Sequence, residues 1–337
     1  MTPHRIGWRA SMPVIAIALT AGCQPGSDAS APWRLRNRPA PPRPTQVTPA
    51  PPTNPPVAER PYRVMMAAPT QRGARAPLLI GLHGYTGETF QTDAVVFHIA
   101  AAATARGMIF AGPQGTRDRR GRPFWNATQA CCNFYGSTVD DVAYLSAVID
   151  DVSAHYAVDP DRVFVIGHSN GGFMANRLAC DRSDRIAAVV NLGGSGWVDQ
   201  TRCQPTHPVA VLTIRSDADR AISYFGGTAF PVVVRDPIVP PDRYPSALET
   251  AAFWGVANHC DPAPIGPGAP FDVDANVAGA ETRALEWTHC EGGAVSLWTI
   301  HGGAHDTPVS PAGAARILDF LLAHPREPAG GAAPSAR

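Results

Sequence analysis

Lysine is missing from all 337 residues: every one of the 28 basic residues is arginine. That absence excludes a Schiff-base lysine, the lysine of a phosphate-binding P-loop and a serine–lysine dyad. An excess of charge is missing as well. The arginines are balanced by 28 aspartates and glutamates, so nothing in the charge points to nucleic acid or to an acidic partner. No group of the seven cysteines and eleven histidines has zinc-ligand spacing, and neither metal nor other cofactor is expected. Long apolar runs are also lacking. The stretch from Met12 to Leu19 is too short to cross a bilayer as a mature helix.

What is present is a pentapeptide, Gly167-His168-Ser169-Asn170-Gly171, of the form G-x-S-x-G. The β-prone run Val163-Phe164-Val165-Ile166 precedes it, and Gly172 to Ala179 follows as a helical pattern. A serine on a sharp strand-to-helix turn has its hydroxyl raised above the sheet, and small flanking residues let the backbone turn. The N–H of Asn170, at the helix start, can face a developing oxyanion. The plainer reading is a glycine-rich loop that contains a serine. The strand before it and the helix after it favour a nucleophile.

A nucleophilic serine needs a base and an orienting acid, in the chain order Ser, Asp or Glu, His. The apolar run Pro208–Ile214 reads as a buried strand and leads into Arg215-Ser216-Asp217-Ala218-Asp219. Asp219 is the chosen acid, because several residues past the strand end it can lean toward a histidine; Asp217 is the alternative. The strand pattern Ala294–Ile300 leads into His301-Gly302-Gly303-Ala304-His305, then into a closing helix from Ala312 to Ala323. His305, on the glycine loop, is the expected base, and His301, against the strand end, a structural residue. The early strand Pro77–Leu82 is followed by His83-Gly84-Tyr85-Thr86-Gly87. There the Tyr85 N–H is the expected second oxyanion donor, against the plainer reading of a glycine turn.

Val142, Leu145, Ile149, Val152 and Tyr156 mark one face of a helix. Thr138 with Asp141 suggests a capping box at its start, and Asp140 and Asp141 suit a helix N-terminus. Strands alternate with such helices from Pro77 to Ala323. The expected fold class is therefore α/β, with a mostly parallel sheet covered on both faces.

From about Arg60 to Ala323 the chain resembles the secreted esterases that include polyhydroxybutyrate depolymerases and feruloyl and acetylxylan esterases (carbohydrate esterase family 1 and its relatives). The likeness rests on Pro77–Gly84, Trp125-Asn126 with Cys131-Cys132, Val139–Val142 and Gly167–Ala175. It continues through the Asp219 loop to Gly227, Glu249-Thr250 with Trp254 and Cys260, and Cys290 through His305. It implies an α/β-hydrolase fold spanning 61–324, an ester substrate, and Asp219 as the acid, the fourth residue of the Ser216–Asp219 stretch. It also implies a Cys260–Cys290 disulfide. Cys131, Cys132, Cys180 and Cys203 could then pair in three ways, a vicinal Cys131–Cys132 bond among them. Two features depart from the family: Arg215-Ser216 replaces a usual His-Gly, and Asp306-Thr307-Pro308 lacks a usual tryptophan. Trp125 and the Tyr224–Tyr244 insertion, with Tyr224, are candidates for an acyl pocket.

Residues 1–23 read as an export signal. Arg5 and Arg9 precede the apolar stretch, and Thr20-Ala21-Gly22-Cys23 resembles a bacterial lipoprotein site with Cys23 as the lipidated residue. The alternative is an ordinary secretory signal. Either one places the protein outside the cytoplasm, where disulfides form, with membrane attachment through Cys23 in the first case. Residues 24–60 read as a disordered, proline-rich spacer and 325–337 as a disordered Pro/Gly/Ala tail. Two other functions compete with an esterase: a surface lipoprotein that binds polymer or glycan without turnover, and a peptidase using the same three residues.

Overall fold

The computed structural model describes residues 45–47, 55–67, 74–229, 239, 241–266 and 268–326. The export signal with Cys23, most of the proline-rich stretch, and residues 327–337 of the tail lie outside them. One sheet dominates. In chain order its strands are β1 (Thr45–Val47), β2 (Arg63–Met66), β3 (Ala76–Leu82), β4 (Ile109–Gly112) and β5 (Val158–His168), then β6 (Ala188–Leu192), β7 (Ala210–Ser216), β8 (Thr282–Trp287) and β9 (Val295–Ile300). Their spatial order is β1-β2-β4-β3-β5-β6-β7-β9-β8. The central strands from β4 to β9 are parallel. Antiparallel strands close both edges.

The central strands are near-continuous apolar runs because both of their faces are covered. Leu78, Ile80, Val163 and Val165 point to one hydrophobic cluster, and Leu79, Phe164 and Ile166 to the other. The main helices are α1 (Pro55–Glu59), α2 (Ala100–Ala105), α3 (Asp141–His155), α4 (Asn170–Asp181), α5 (Ala247–Ala257) and α6 (Pro311–Ala323). Leu145 of α3, Phe173 of α4 and Trp254 of α5 fill the first cluster, while Ala103 of α2 and Ile317 and Leu321 of α6 fill the second.

Two expectations need correction. The cap of α3 is Asp140, whose side chain accepts the Ala143 N–H at 2.9 Å. Asp141 is fully buried, bonded to Arg60 at 2.6 Å and to the Asn126 N–H at 2.6 Å. It is thus the partner of a semi-buried arginine and not part of a capping box. The folded body also begins upstream of residue 61. Within the stretch read as spacer, Val57 of α1 is fully buried in the core and β1 pairs with β2.

The six cysteines of the described body form Cys131–Cys132, Cys180–Cys203 and Cys260–Cys290. The second ties the end of α4 to the segment before β7. The third ties the chain beyond α5 to the β8–β9 connection.

Candidate active site

β5 ends at His168 and α4 begins at Asn170, so Ser169 makes the whole turn, with φ 54° and ψ −118°. A non-glycine residue at positive φ is strained, and such strain gathers where surrounding structure enforces it. Here the enforcement is close packing of backbone. A Cβ on Gly167 would lie 2.0 Å from the Gly171 carbonyl oxygen, and one on Gly171 would lie 2.2 Å from that of Leu82. Only glycine fits at either position. The Ser169 N–H donates to the Leu192 carbonyl at the end of β6, 2.8 Å away.

The acid and the base come from neighbouring strands. β7 and β9 are parallel and in register, Ser216 beside Ile300, so the loops that follow them run side by side. Each loop supplies two residues to the other. Asp217 meets His301 Nδ1 at 2.8 Å, and Asp219 meets His305 Nδ1 at 2.7 Å. His305 Nε2 stands 2.9 Å from Ser169 Oγ. With Nδ1–H donating to the carboxylate, Nε2 is left to accept the serine hydroxyl. The second oxygen of Asp219 accepts the N–H groups of Ala221 (2.8 Å) and Ile222 (2.9 Å). Burial acts to raise the Asp219 carboxyl, but His305 and these two N–H groups outweigh it and hold the carboxyl below its ordinary value. Asp217 is committed elsewhere: besides His301 it accepts the Gly302 N–H at 2.7 Å.

The two segments expected to supply oxyanion donors lie beside Ser169. A Cβ on Gly84 would come within 3.3 Å of the Ser169 Cβ. Asn170 opens α4, where first-turn N–H groups have no partner inside the helix. Trp125 joins the two segments. Its indole N–H donates to the His83 carbonyl (3.0 Å), its backbone N–H to Asn170 Oδ1 (2.7 Å), and its carbonyl accepts the Asn170 side-chain amide (3.0 Å). The indole is fully buried. It is therefore a brace for this corner and lines no open pocket, contrary to the expectation from sequence. His83 braces the corner too. It accepts the Gly115 N–H at Nε2 (2.9 Å) and donates from Nδ1 to the Gly84 carbonyl (2.7 Å). Burial lowers its pKa to about 4, which keeps it neutral. Tyr224 is half-buried, with its hydroxyl 2.9 Å from Thr299 Oγ1 on β9.

Two contributors escaped the sequence reading. His168, the second residue of the pentapeptide, donates from Nε2 to the His305 carbonyl at 3.0 Å. Burial, then the neighbouring His305, lowers its pKa to about 4. Arg215, noted in the sequence only as a departure from pattern, lies fully buried behind the acid loop. His168, His305 and Asp306 bring potential ligand atoms within 4.8 Å of one another. Both nitrogens of His305 already face Ser169 and Asp219, so this group is poorly disposed to hold a metal.

A parallel sheet covered on both faces, with a serine at the turn from a central strand into a helix, defines the α/β-hydrolase class. Residues 95–217 match the profile of the prolyl oligopeptidase family of peptidases. The chain has the α/β-hydrolase fold. It is 31% identical over 234 residues to feruloyl esterase B of Piromyces equi, a match covering 68% of this chain and 39% of that protein. It is 26% identical over 168 residues to feruloyl esterase D of Neurospora crassa, covering 50% of this chain and 48% of the other. The chain thus spans less than half the length of either relative. The acetyl xylan esterase from Aspergillus awamori has a similar fold, with a TM-score of 0.52 at 15% identity, over 83% of this chain and 98% of that one.

Proposed function

We propose that the protein is a serine esterase that hydrolyses carboxylic esters through an acyl-enzyme. The observation that carries this reading is the unbroken line Ser169 Oγ–His305–Asp219, with links of 2.9 and 2.7 Å. Ser169 Oγ attacks the ester carbonyl while His305 Nε2 takes its proton. Asp219 holds the imidazole by Nδ1–H and stabilises its cation. The oxyanion is held by the N–H groups of Tyr85 and Asn170, each worth about 3 kcal/mol in such sites. His305 then gives the proton to the leaving alkoxide as the C–O bond breaks. Water, deprotonated by the same nitrogen, releases the acid and restores Ser169.

Feruloyl and acetyl esters on plant polysaccharide are the favoured substrates, supported by the names of the relatives; a polyhydroxyalkanoate ester is the alternative within the class. Export, with lipid attachment at Cys23, completes the reading and rests on the sequence. A peptidase is the second reading, favoured by the prolyl oligopeptidase profile. That match ends at residue 217, before Asp219 and His305.

The test is a panel of methyl ferulate, acetylated xylan, p-nitrophenyl acetate and butyrate, amorphous polyhydroxybutyrate and a peptide p-nitroanilide. Each is run with the parent and with Ser169→Ala. The proposal predicts Ser169-dependent release from esters. Release from the peptide alone would establish the peptidase. No Ser169-dependent release from any member would leave a binding lipoprotein as the better account.

A further inference from the structure

Arg215 is the penultimate residue of β7, and its guanidinium is completely enclosed. Nη1 donates to the Gly194 carbonyl at 2.7 Å. Nη2 donates to the carbonyls of Ile222 (2.9 Å) and Ser223 (2.7 Å). Among the described residues Nε has no hydrogen-bond partner, and the guanidinium forms no ion pair with a carboxylate. An enclosed cation without a paired carboxylate is costly, and an apolar side chain in its place would avoid that cost. Its position explains what it does there. Ile222, whose carbonyl Arg215 holds, is the residue whose N–H holds Asp219. Gly194, on the other side, follows Gly193, and a Cβ on Gly193 would lie 3.5 Å from His305 Cε1. One side chain therefore ties together the loop that grips the acid and the loop that backs the base.

We propose that Arg215 is a positioning residue for His305 and Asp219, holding the acid loop by two hydrogen bonds and the Gly193–Gly194 loop by a third, and offsetting the carboxylate's charge with a buried cation. This rests on the esterase reading above. The charged and titratable groups around His305 are few. Asp219 faces Nδ1 and Ser169 faces Nε2. The neutral ring of His168 lies 5.0 Å away, centroid to centroid. Asp306 adjoins it in sequence, and the Asp217–His301 pair occupies the start of the same loop. Asp274 Oδ2 lies beside Gly303. Among the described residues Arg215 is the one enclosed cation near this group, acting through Asp219. An imidazole beside an uncompensated carboxylate holds its proton to higher pH, and the cation opposes that. The proposal also accounts for the departure from family pattern at Arg215-Ser216: a guanidinium does the work of fixing the acid loop.

The experiment uses the whole chain and two variants. R215K keeps the charge and loses the planar fork, which a single ammonium cannot replace. R215Q keeps amide donors and loses the charge. Circular dichroism and melting establish the fold, and kcat/KM for p-nitrophenyl acetate is followed from pH 5 to 9. R215Q is expected to move the acid limb of the profile upward by roughly half a pH unit. R215K is expected to leave the limb in place while kcat falls about tenfold or more, with KM little changed. A folded R215Q with the parent's profile, or a folded R215K with the parent's kcat, overturns the proposal. If only one variant folds, its own result decides. A parent without Ser169-dependent turnover would refute the esterase reading instead.

Discussion

At the scale of single residues, the site is organised around two aspartate–histidine pairs, of which the sequence points to Asp219 and His305 and leaves Asp217 as the alternative acid. Asp217 and Asp219 follow one strand, and His301 and His305 follow its neighbour. The register of β7 on β9 sets Asp219 against His305 and adds the second pair, Asp217–His301, which the sequence did not announce. In the proposed mechanism Asp219→Asn should lower kcat about 10⁴-fold, because an amide favours the wrong imidazole tautomer. Asp217→Asn should cost less than about tenfold, since it loosens a loop without touching the base. Kinetics of the two variants on one p-nitrophenyl ester decide this, and the reverse order would reassign the acid. The neutral histidines make a second prediction. His83 and His168 both titrate near pH 4 in the fold, against an ordinary value of 6.5. Between those values the unfolded chain binds the proton and the fold does not, so stability falls as pH falls from about 6.5 toward 4. The slope is about 1.4 kcal/mol per pH unit for each histidine. Urea unfolding at pH 7, 6 and 5 measures it. A flat dependence would mean that neither ring is held neutral.

At the scale of elements, the turn at Ser169 is the most constrained feature. Gly171→Ala would drive a methyl group against the Leu82 carbonyl, so it should cost more than about 3 kcal/mol or prevent folding. A soluble variant with the parent's melting temperature would contradict that packing. The nucleophile turn and the strands β3, β5, β7 and β9 were legible because their runs are mainly apolar and β-prone and lead into loops marked by glycine or aspartate. The Cys260–Cys290 bond was legible only through family resemblance. It closes a loop with a sequence separation of 30 residues, which the chain-entropy account values at about 3 to 4 kcal/mol. Removing it by paired serine substitutions should lower stability by that order, read by denaturant unfolding. Peptide mapping without reductant that found both thiols free would contradict the pairing. β8 was not legible. It is an antiparallel edge strand with Arg283 and Glu286 exposed, and its pattern is too mixed to announce a strand. Trp125 misled for a related reason. Sequence marks it as a large aromatic near the site, but only the fold shows both polar edges of its residue spent on His83 and Asn170.

At the scale of the whole molecule, function follows from topology. The sheet order sets β5, with its serine, two strands away from β7 and three from β9, and the loops beyond their ends converge. Arg215 and His168 were hidden from sequence because their value lies in which backbone carbonyls they meet across the fold. If Cys23 is lipidated, the mature protein should partition with membranes and be released by detergent and not by salt, because the balanced charge gives no ionic attachment. Mass spectrometry of an unmodified N-terminus beyond Cys23 would remove the anchor. The central claim, that Ser169 is the nucleophile activated by His305, is tested most directly with a fluorophosphonate probe and peptide mapping of the adduct. The account predicts one adduct, on Ser169, formed together with loss of ester hydrolysis and strongly slowed in His305→Ala. Full hydrolysis with Ser169 unlabelled, or labelling of another residue with loss of activity, would contradict it.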